Sequence, residues 1–195
     1  EKQGFEADDL IGTIAFLSPI ETIILSGDLD TLQLVNPKTK VYALRKGVKD
    51  VVLYDENLVK EKFLGLKPEQ VLDFKALRGD PSDNIPGVTG IGEKTAIELL
   101  LKFESLENLY SALNQRPLPE AVLISVNQRL RALLEEYKEQ AFCSQALVQI
   151  RRDAPIDFDL KKCEWGAYAE EKIIHIFQDI GFFSLIKRVK EIKHQ

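Results

Sequence analysis

The stretch GDPSDNIPGVTGIGEKTA, residues 79 to 96, places acids and turn-forming residues directly before an amphipathic helix. It contains two aspartates around a proline, then three glycines and a lysine: Asp80, Pro81, Asp83, Gly87, Gly90, Gly92 and Lys94. A glycine turn that opens a helix presents free N–H groups and a favourable dipole to an anion. The same glycines also suit a tight turn for steric reasons alone. The stretch is therefore either a connector or a junction between a carboxylate site and a phosphate site.

The glycine spacing argues against a dinucleotide-binding loop. It does not fit the G-x-G-x-x-G fingerprint of dinucleotide-binding proteins, and no predicted strand precedes it. A helix predicted from Pro68 to about residue 78 comes before the stretch, and another predicted over residues 92 to 103 follows it. Two helices joined by a glycine turn are typical of a sequence-independent clamp on a nucleic-acid backbone.

Two further acidic clusters lie upstream. The first stands in the first turn of a helix predicted over residues 5 to 17, and the second follows a strand predicted as buried over residues 22 to 25; their members are Glu6, Asp8 and Asp9, then Asp28 and Asp30. Each cluster also has an ordinary interpretation. Acids in a first turn face the helix dipole favourably, Asp30 could cap the next short helix, and the acids beside Pro81 could be turn residues.

Spacing indicates how these acids could meet. Asp28 and Asp30 can point the same way from the carboxyl end of a strand, where open α/β sheets place their ligands. Glu6 and Asp9 share a helix face at i, i+3, whereas Asp8 points elsewhere unless it lies at the helix entrance. Seven converging carboxylates repel one another unless cations lie between them. Oxygen donors favour Mg²⁺ or Mn²⁺ over Zn²⁺, and two such ions are a standard apparatus for phosphodiester hydrolysis.

The composition permits a nucleic-acid partner. The chain has 195 residues, 45% of them apolar, and a formal charge of −5. Without the seven clustered acids that charge becomes +2, so a mildly basic protein would surround a metal-neutralised pocket. The apolar runs are too short for a membrane helix, and the first residues do not read as a secretory signal.

The remaining pattern predicts an α/β first third and a helical remainder. Residues 40 to 47 and 51 to 55 suit a hairpin-sized pair of strands. Asp55 also suits the N-cap of a helix over residues 56 to 64, and residues 126 to 142 suit one helix. The stretch ALVQIRRDAPIDFDL, residues 146 to 160, contains one more strand candidate.

Three motifs together resemble one family. GFEADD, LSGDLDTLQLV and ALRGDPSDNIPGVTGIGEKTA, in this order and at these separations, resemble the 5′ nuclease family, which includes the 5′-3′ exonuclease domain of bacterial DNA polymerase I and the flap endonucleases. The motifs lie within residues 4 to 96, and the helical region up to GFFSLIKRV looks similar as well. The family's core begins earlier, with a strand, further aspartates and a helical arch, so we expect this chain to be a fragment that lacks the N-terminal part.

The resemblance implies a fold and three regions. Residues 1 to 66 would be the C-terminal part of a truncated PIN-like (Rossmann-like) α/β nuclease core carrying the metal-binding acids. Residues 67 to 115 would hold a helix-three-turn-helix motif, of helix-hairpin-helix type, that grips DNA. Residues 116 to 195 would form a helical region that packs back on the core.

The resemblance also implies roles for individual residues. Glu6 and Asp8 match ligands of a first Mg²⁺ or Mn²⁺ ion, while Asp9 and Asp80 match acids nearer the outer shell. The positions matched to the second ion, and taken together as catalytic, are Asp8, Asp28, Asp30 and Asp83. The positions matched to the DNA-gripping loop, where K⁺ often binds, are Gly87, Gly90, Ile91, Gly92, Lys94 and Thr95.

Three functions from different classes follow. The first is a two-metal, structure-specific 5′ nuclease that acts on duplex DNA with a 5′ flap, nick or 5′ end, in the bacterial cytoplasm near the nucleoid and attached to a polymerase domain. The second is a non-catalytic module that binds duplex DNA through the glycine turn. The third is a small-molecule phosphohydrolase, which gives no reason for the glycine turn.

Overall fold

The computed structural model describes residues 1–44, 50–164 and 169–192. Residues 1–158 form one compact unit, and the residues from 159 onward form a second. Residues 45 to 49, within the predicted hairpin, lie outside the described residues. The boundaries predicted at residues 66 and 115 remain predictions.

The first unit begins with a small sheet. Helix α1 (Ala7–Leu17) leads into strand β1 (Thr22–Ser26), which pairs in parallel with β2 (Thr39–Leu44); β2 pairs antiparallel with β3 (Val51–Tyr54). The sheet order is β1-β2-β3. A 3₁₀ helix at Leu29–Leu34 forms half of the crossover between the two parallel strands. Beyond β1, this crossover is where the second acidic cluster begins.

Helices make up the rest of the first unit. The helices after the sheet are α2 (Glu56–Lys62), α3 (Val71–Arg78), α4 (Glu93–Phe103), α5 (Leu106–Asn114), α6 (Glu120–Ser125), α7 (Gln128–Glu136) and α8 (Lys138–Val148). Asp55 caps α2 as predicted, because its side chain accepts a hydrogen bond from the Leu58 N–H at 2.9 Å. Short 3₁₀ helices precede α3 at Pro68–Gln70 and follow it at Pro81–Asp83.

Two apolar clusters hold this unit together. One lies under the sheet and includes Ile24, Leu32 and Val41. The larger one is formed by the helices and includes Leu77, Leu100 and Leu109, all fully buried. Burial of this apolar surface is the main stabilising contribution to both regions. The acidic clusters lie on loops and helix ends that the two apolar clusters position.

Three local predictions were wrong. Strand β1 is buried on one face only: Ile24 is 5% exposed, whereas Ile23 and Leu25 are 61% and 64% exposed. The helix predicted over residues 126 to 142 is interrupted, because Asn127 caps α7 and a second break at Tyr137 separates α7 from α8. The stretch predicted as a strand instead continues α8 to Val148 and then runs without regular structure to Asp159, because side chains bind its backbone.

The second unit contains a 3₁₀ turn and two helices. The turn spans Leu160–Cys163, and the helices are α9 (Glu170–Asp179) and α10 (Phe183–Ile192), which pack on each other. Gly181, at φ +76°, lies between the two helices and allows the sharp reversal. Within the described residues, no helix combines the length and the apolar character needed to cross a membrane.

Candidate metal centre and nucleic-acid interface

The first acidic cluster surrounds the start of α1. Glu6 is the N-cap residue, and its backbone N–H donates to Asp9 Oδ2 at 3.1 Å. Asp9 Oδ1 accepts a second hydrogen bond, from the Arg151 N–H at 2.8 Å. Because each of its oxygens binds a backbone N–H, Asp9 fixes the helix entrance, where Glu6 and Asp8 also lie.

The second cluster begins where β1 ends. Asp28 caps the following 3₁₀ helix, with Oδ1 accepting from the Asp30 N–H at 2.9 Å. The alternative in which Asp30 caps this helix is therefore wrong. Asp30 instead forms a salt bridge with Lys75, and its side chain is only 17% exposed. The two aspartates therefore have different environments: Asp28 caps a helix, and Asp30 pairs with a lysine.

The third cluster lies in the stretch that opens the sequence analysis. Asp80 Oδ1 accepts from the Ser82 N–H at 3.0 Å, and Asp80 Oδ2 lies 2.6 Å from Lys75 Nζ. Burial raises the pKa of Asp80, but the hydrogen bonds from Lys75 and Ser82 outweigh it and lower the pKa to about 2. Asp83, one turn further along, is exposed. Asp80 is consequently an ionised anchor, and Asp83 is open to a ligand.

Six of the seven predicted acids line one cavity of about 530 Å³: Glu6, Asp8, Asp9, Asp28, Asp30 and Asp83. Asp80 lies behind them, and oxygens of Asp30, Asp80 and Asp83 come within 4.8 Å of one another, as a single metal ion requires. Helical spacing predicts that Asp8 points away from Glu6 and Asp9 unless it lies at the helix entrance. Asp8 joins them because α1 starts at Ala7, which places Asp8 at the helix entrance.

The electrostatics show how closely the clusters approach. Burial raises the pKa of Asp8, and the neighbouring charges of Asp28, Glu6 and Asp9 raise it further. Burial likewise raises the pKa of Asp30, although Lys75 opposes the shift. Bound cations would relieve this repulsion, and a pocket of carboxylate oxygens suits Mg²⁺ or Mn²⁺. The donor set therefore fits the divalent ions expected from the sequence.

Lys75 was missed by sequence reasoning. It lies on α3, and its ammonium group forms salt bridges with both Asp30 and Asp80. Burial lowers the pKa of Lys75, but the hydrogen bonds that its ammonium group donates to these two carboxylates outweigh burial and raise it. The available signal was its place on the helix that runs directly into Gly79 and Asp80. Lys75 therefore offsets part of the negative charge of Asp30 and Asp80.

The glycine loop is held by backbone packing. A Cβ on Gly87, whose φ is +60°, would lie 2.2 Å from the Gly79 nitrogen. The Asp80 and Ile85 backbones exchange two hydrogen bonds, at 2.9 and 2.8 Å, which close the turn that carries Asp83. Gly87 and Ile91 are buried, so they shape the loop and do not offer side chains to a ligand. The predicted loop thus divides into residues that build it and residues that it displays.

The displayed part is the entrance to α4. Thr89, Gly90, Gly92 and Lys94 are exposed, and no side chain caps the helix at Gly92. First-turn N–H groups without a side-chain cap form a binding site for anions. The side chain of Lys94 is 90% exposed, and its Nζ lies 3.9 Å from Glu98 Oε1.

The neighbouring positions on α4 contribute less. Thr95, named with this loop, is partly buried. Glu93 lies 3.8 Å from Arg78, which offsets its charge next to the helix entrance. The entrance to α4 therefore combines backbone donors and a cation on the surface.

Comparisons with known proteins identify the class and then the family. Residues 1–64 match the N-terminal resolvase-like domain of 5′-3′ exonucleases, and residues 66–171 match their C-terminal SAM fold. The molecule is thus a resolvase-like (PIN-like) α/β domain followed by a SAM-like helical fold, which confirms the predicted fold class. The chain belongs to the 5′-3′ exonuclease family.

Its relatives include longer proteins. The chain is 44% identical to the DNA polymerase I of Bacillus subtilis over 194 residues, which are 98% of this chain and 21% of that protein. It is 35% identical to the 5′-3′ exonuclease of Mycoplasma genitalium over 195 residues, 98% of this chain and 64% of that one. The chain therefore spans about a fifth of the first relative and under two thirds of the second.

A solved structure shows a similar fold. The flap endonuclease of bacteriophage T5, in a pseudo-enzyme-product complex with DNA and metal ions, superimposes with a TM-score of 0.60 and 25% identity. The match covers 98% of this chain and 61% of that one.

Proposed function

We propose that the chain is part of a metal-dependent 5′ nuclease that hydrolyses DNA phosphodiester bonds near a 5′ flap, nick or 5′ end. The observation that carries this proposal is the single cavity lined by six carboxylates from three separate segments. Membership of the 5′-3′ exonuclease family and the likeness to a flap endonuclease bound to DNA and metal ions support it.

The acids divide into ligands and supports. Glu6 and Asp8 would hold one divalent ion, and the second-ion set would be Asp8, Asp28, Asp30 and Asp83. Asp9 and Asp80, whose oxygens already accept backbone hydrogen bonds, would hold these ligands in place. Two Mg²⁺ or Mn²⁺ ions, when bound, activate a water and stabilise the leaving oxygen of a phosphodiester. K⁺ at the glycine loop remains a prediction.

Removing a ligand tests the catalytic proposal. Asp28→Ala and Asp83→Ala in the full-length protein should each lower the cleavage rate of a labelled 5′-flap substrate by about a thousandfold, because charge stabilisation in the transition state is lost. Cleavage should require Mg²⁺ or Mn²⁺. Asp50→Ala, which removes an exposed acid outside the cavity, is the matched control and should cleave normally. Unchanged cleavage in both aspartate variants would contradict the proposal.

We also propose that the entrance to α4 grips the backbone of duplex DNA. Its exposed glycines, first-turn N–H groups and Lys94 can contact phosphates without reading bases. Lys94→Ala should weaken binding to duplexes of any sequence and reduce the slope of log K against log salt by about one. Lys102→Ala, at the other end of the same helix, should leave that slope unchanged.

The two proposals separate in one experiment. A non-catalytic DNA-binding module predicts salt-dependent binding that weakens in Lys94→Ala, with no cleavage at any concentration of Mg²⁺ or Mn²⁺. The nuclease proposal predicts the same salt-dependent binding together with metal-dependent cleavage. Loss of cleavage without loss of binding in Asp28→Ala would place the two functions on separate parts of the chain. An attached polymerase and work in the bacterial cytoplasm, near the nucleoid, are consistent with the polymerase relatives and belong to the same proposal.

A further inference from the structure

Side chains, not strands, bind the backbone of residues 148 to 151. Gln33 Nε2 donates to the Val148 carbonyl at 3.1 Å, and the Ile150 N–H donates to Gln33 Oε1 at 3.0 Å. Gln33 is only 5% exposed, so one buried amide supplies both a donor and an acceptor to a segment more than a hundred residues away. An amide group imitates in this way the hydrogen bonding of a neighbouring strand.

The same segment reaches the first acidic cluster. Directly after Ile150, the Arg151 N–H donates to Asp9 Oδ1 at 2.8 Å, and Asp9 Oδ2 accepts from Glu6. Helix α1 packs tightly against the segment, because a Cβ on Gly12 would lie 2.8 Å from Ile150 Cγ2. Movement of residues 148 to 151 would therefore move the Asp9 carboxylate and the helix entrance with it.

Gln33 also lies on the element that carries the second acidic cluster. It belongs to the 3₁₀ helix Leu29–Leu34, which contains Asp30 and is capped by Asp28. The amide of Gln33 thus connects the element that carries the second cluster to the segment that fixes the first. The path between the clusters consists of Gln33, Ile150, Arg151 and Asp9 in direct hydrogen-bonded or covalent succession.

We propose that Gln33 is a positioning residue that sets the distance between the two groups of metal-binding carboxylates. The inference rests on the proposed metal-dependent function of the cavity. Gln33 lies outside the acidic cavity, so its effect on metal binding passes through residues 148 to 151 to the first cluster and through its own 3₁₀ helix to the second. Groups that orient metal ligands in this way change metal affinity by about 10- to 100-fold when they are removed.

The amide is required because both of its ends are used. Leucine at this position would leave the Ile150 N–H and the Val148 carbonyl without their partner inside the protein. Glutamate keeps an acceptor for Ile150, and in its protonated form, which burial favours, it also donates to the Val148 carbonyl oxygen. Gln33→Leu should therefore weaken metal binding more than Gln33→Glu does.

The test measures metal binding and not cleavage. Mn²⁺ is titrated into the full-length protein, and free Mn²⁺ is counted by electron paramagnetic resonance. Gln33→Leu should raise the dissociation constant by about tenfold and Gln33→Glu by about threefold. Circular dichroism and urea unfolding report whether each variant is folded under the same conditions, and Gln33→Glu serves if Gln33→Leu does not fold.

Gln70 provides a matched control. It is 7% exposed, and its amide also binds backbone groups, donating to the Leu100 and Glu104 carbonyls at 3.0 and 2.8 Å. Gln70→Leu should destabilise the fold to a similar degree and leave Mn²⁺ affinity within about twofold of wild type.

The outcomes separate two failures. If the wild-type protein binds no Mn²⁺, the proposed metal-dependent function fails. If wild type binds Mn²⁺ and Gln33→Leu and Gln33→Glu bind it as tightly as Gln70→Leu, the function stands and the positioning role of Gln33 is overturned.

Discussion

The acidic cavity and the glycine loop are adjacent in the chain but are built in opposite ways. The cavity is fixed by hydrogen bonds and salt bridges over long sequence separations, such as Lys75 with Asp30 and Arg151 with Asp9. The loop is fixed by short-range steric contact, with Gly87 packed on Gly79 and Ile91 buried beneath. Charge determines residue identity in the first region, whereas available volume determines it in the second.

This difference predicts how each region tolerates change. Charge can be compensated by a bound ion or a neighbouring group, so variants of the cavity should retain their fold and respond to metal. Volume cannot be compensated in this way, because packed backbones leave no room for a methyl group. The following variants test the distinction, from the largest expected change in stability to the smallest.

Gly87→Ala should be the most damaging. Its new Cβ would overlap the backbone of Gly79 at 2.2 Å, and φ at this position is +60°, so the free energy of unfolding should fall by roughly 3 kcal/mol or more. Urea unfolding measures this change, and added Mg²⁺ should not restore it. Gly92→Ala, where a Cβ meets no atom within 4 Å, should cost about 1 kcal/mol or less. Equal effects of the two variants would remove steric packing as the cause.

Lys75→Met should have an intermediate effect that depends on metal. It leaves Asp30 and Asp80 without their buried cation, so unfolding without metal should be easier by about 2–3 kcal/mol. Mg²⁺ should restore more stability to this variant than to wild type, which thermal unfolding with and without the ion would show. Lys40→Met, which breaks the exposed salt bridge to Glu21 at 3.5 Å, should cost under about 0.5 kcal/mol with no response to Mg²⁺. A loss in Lys75→Met that is independent of Mg²⁺ would contradict the comparison.

Tyr110→Phe probes the apolar interior of the helical region through pH. The Tyr110 hydroxyl donates to the Leu134 carbonyl at 3.0 Å, and burial raises its pKa from 10.0 to about 12. Between these values the tyrosine ionises first in the unfolded chain. The contribution of Tyr110 to stability is therefore complete below pH 10 and is lost as pH rises toward 12. Tyr110→Phe should lower the free energy of unfolding by about 1 kcal/mol at pH 7. It should also reduce the loss of stability between pH 10 and 12.

The control is Tyr42→Phe on the sheet, where the ring is 36% exposed; it should change stability by under about 0.5 kcal/mol. Stability would be measured by urea unfolding at several pH values between 7 and 12. An alkaline loss of the same size in Tyr110→Phe and wild type would show that this hydroxyl is not its source.

Local signals made part of the molecule predictable. The cap at Asp55, the helix that starts at Ala7 and the glycine entrance to α4 depend on residues within one turn of each other. Sequence spacing also predicted that Asp28 and Asp30 follow a strand. It could not separate their roles, because Asp28 caps the next helix whereas Asp30 pairs with Lys75, a partner 45 residues away.

Long-range contacts explain what the sequence did not reveal. Lys75 and Gln33 act on residues 45 and 117 positions away, and no periodic pattern marks such partners. The strand predicted within residues 146 to 160 failed for the same reason. Alternating apolar residues indicate an extended segment but not whether strands or side chains, here Gln33 and Asp9, bind its backbone.

The bond between Arg151 and Asp9 also has a consequence for synthesis on the ribosome. It joins residues 142 positions apart, so the first acidic cluster emerges long before the residue that fixes it has been made. Contacts of this separation close late, because the loop between them must first be ordered. A nascent chain that ends before residue 151 carries all seven acids yet lacks a fixed helix entrance. Assembly of the cavity is thereby delayed until nearly all of residues 1–158 has been made.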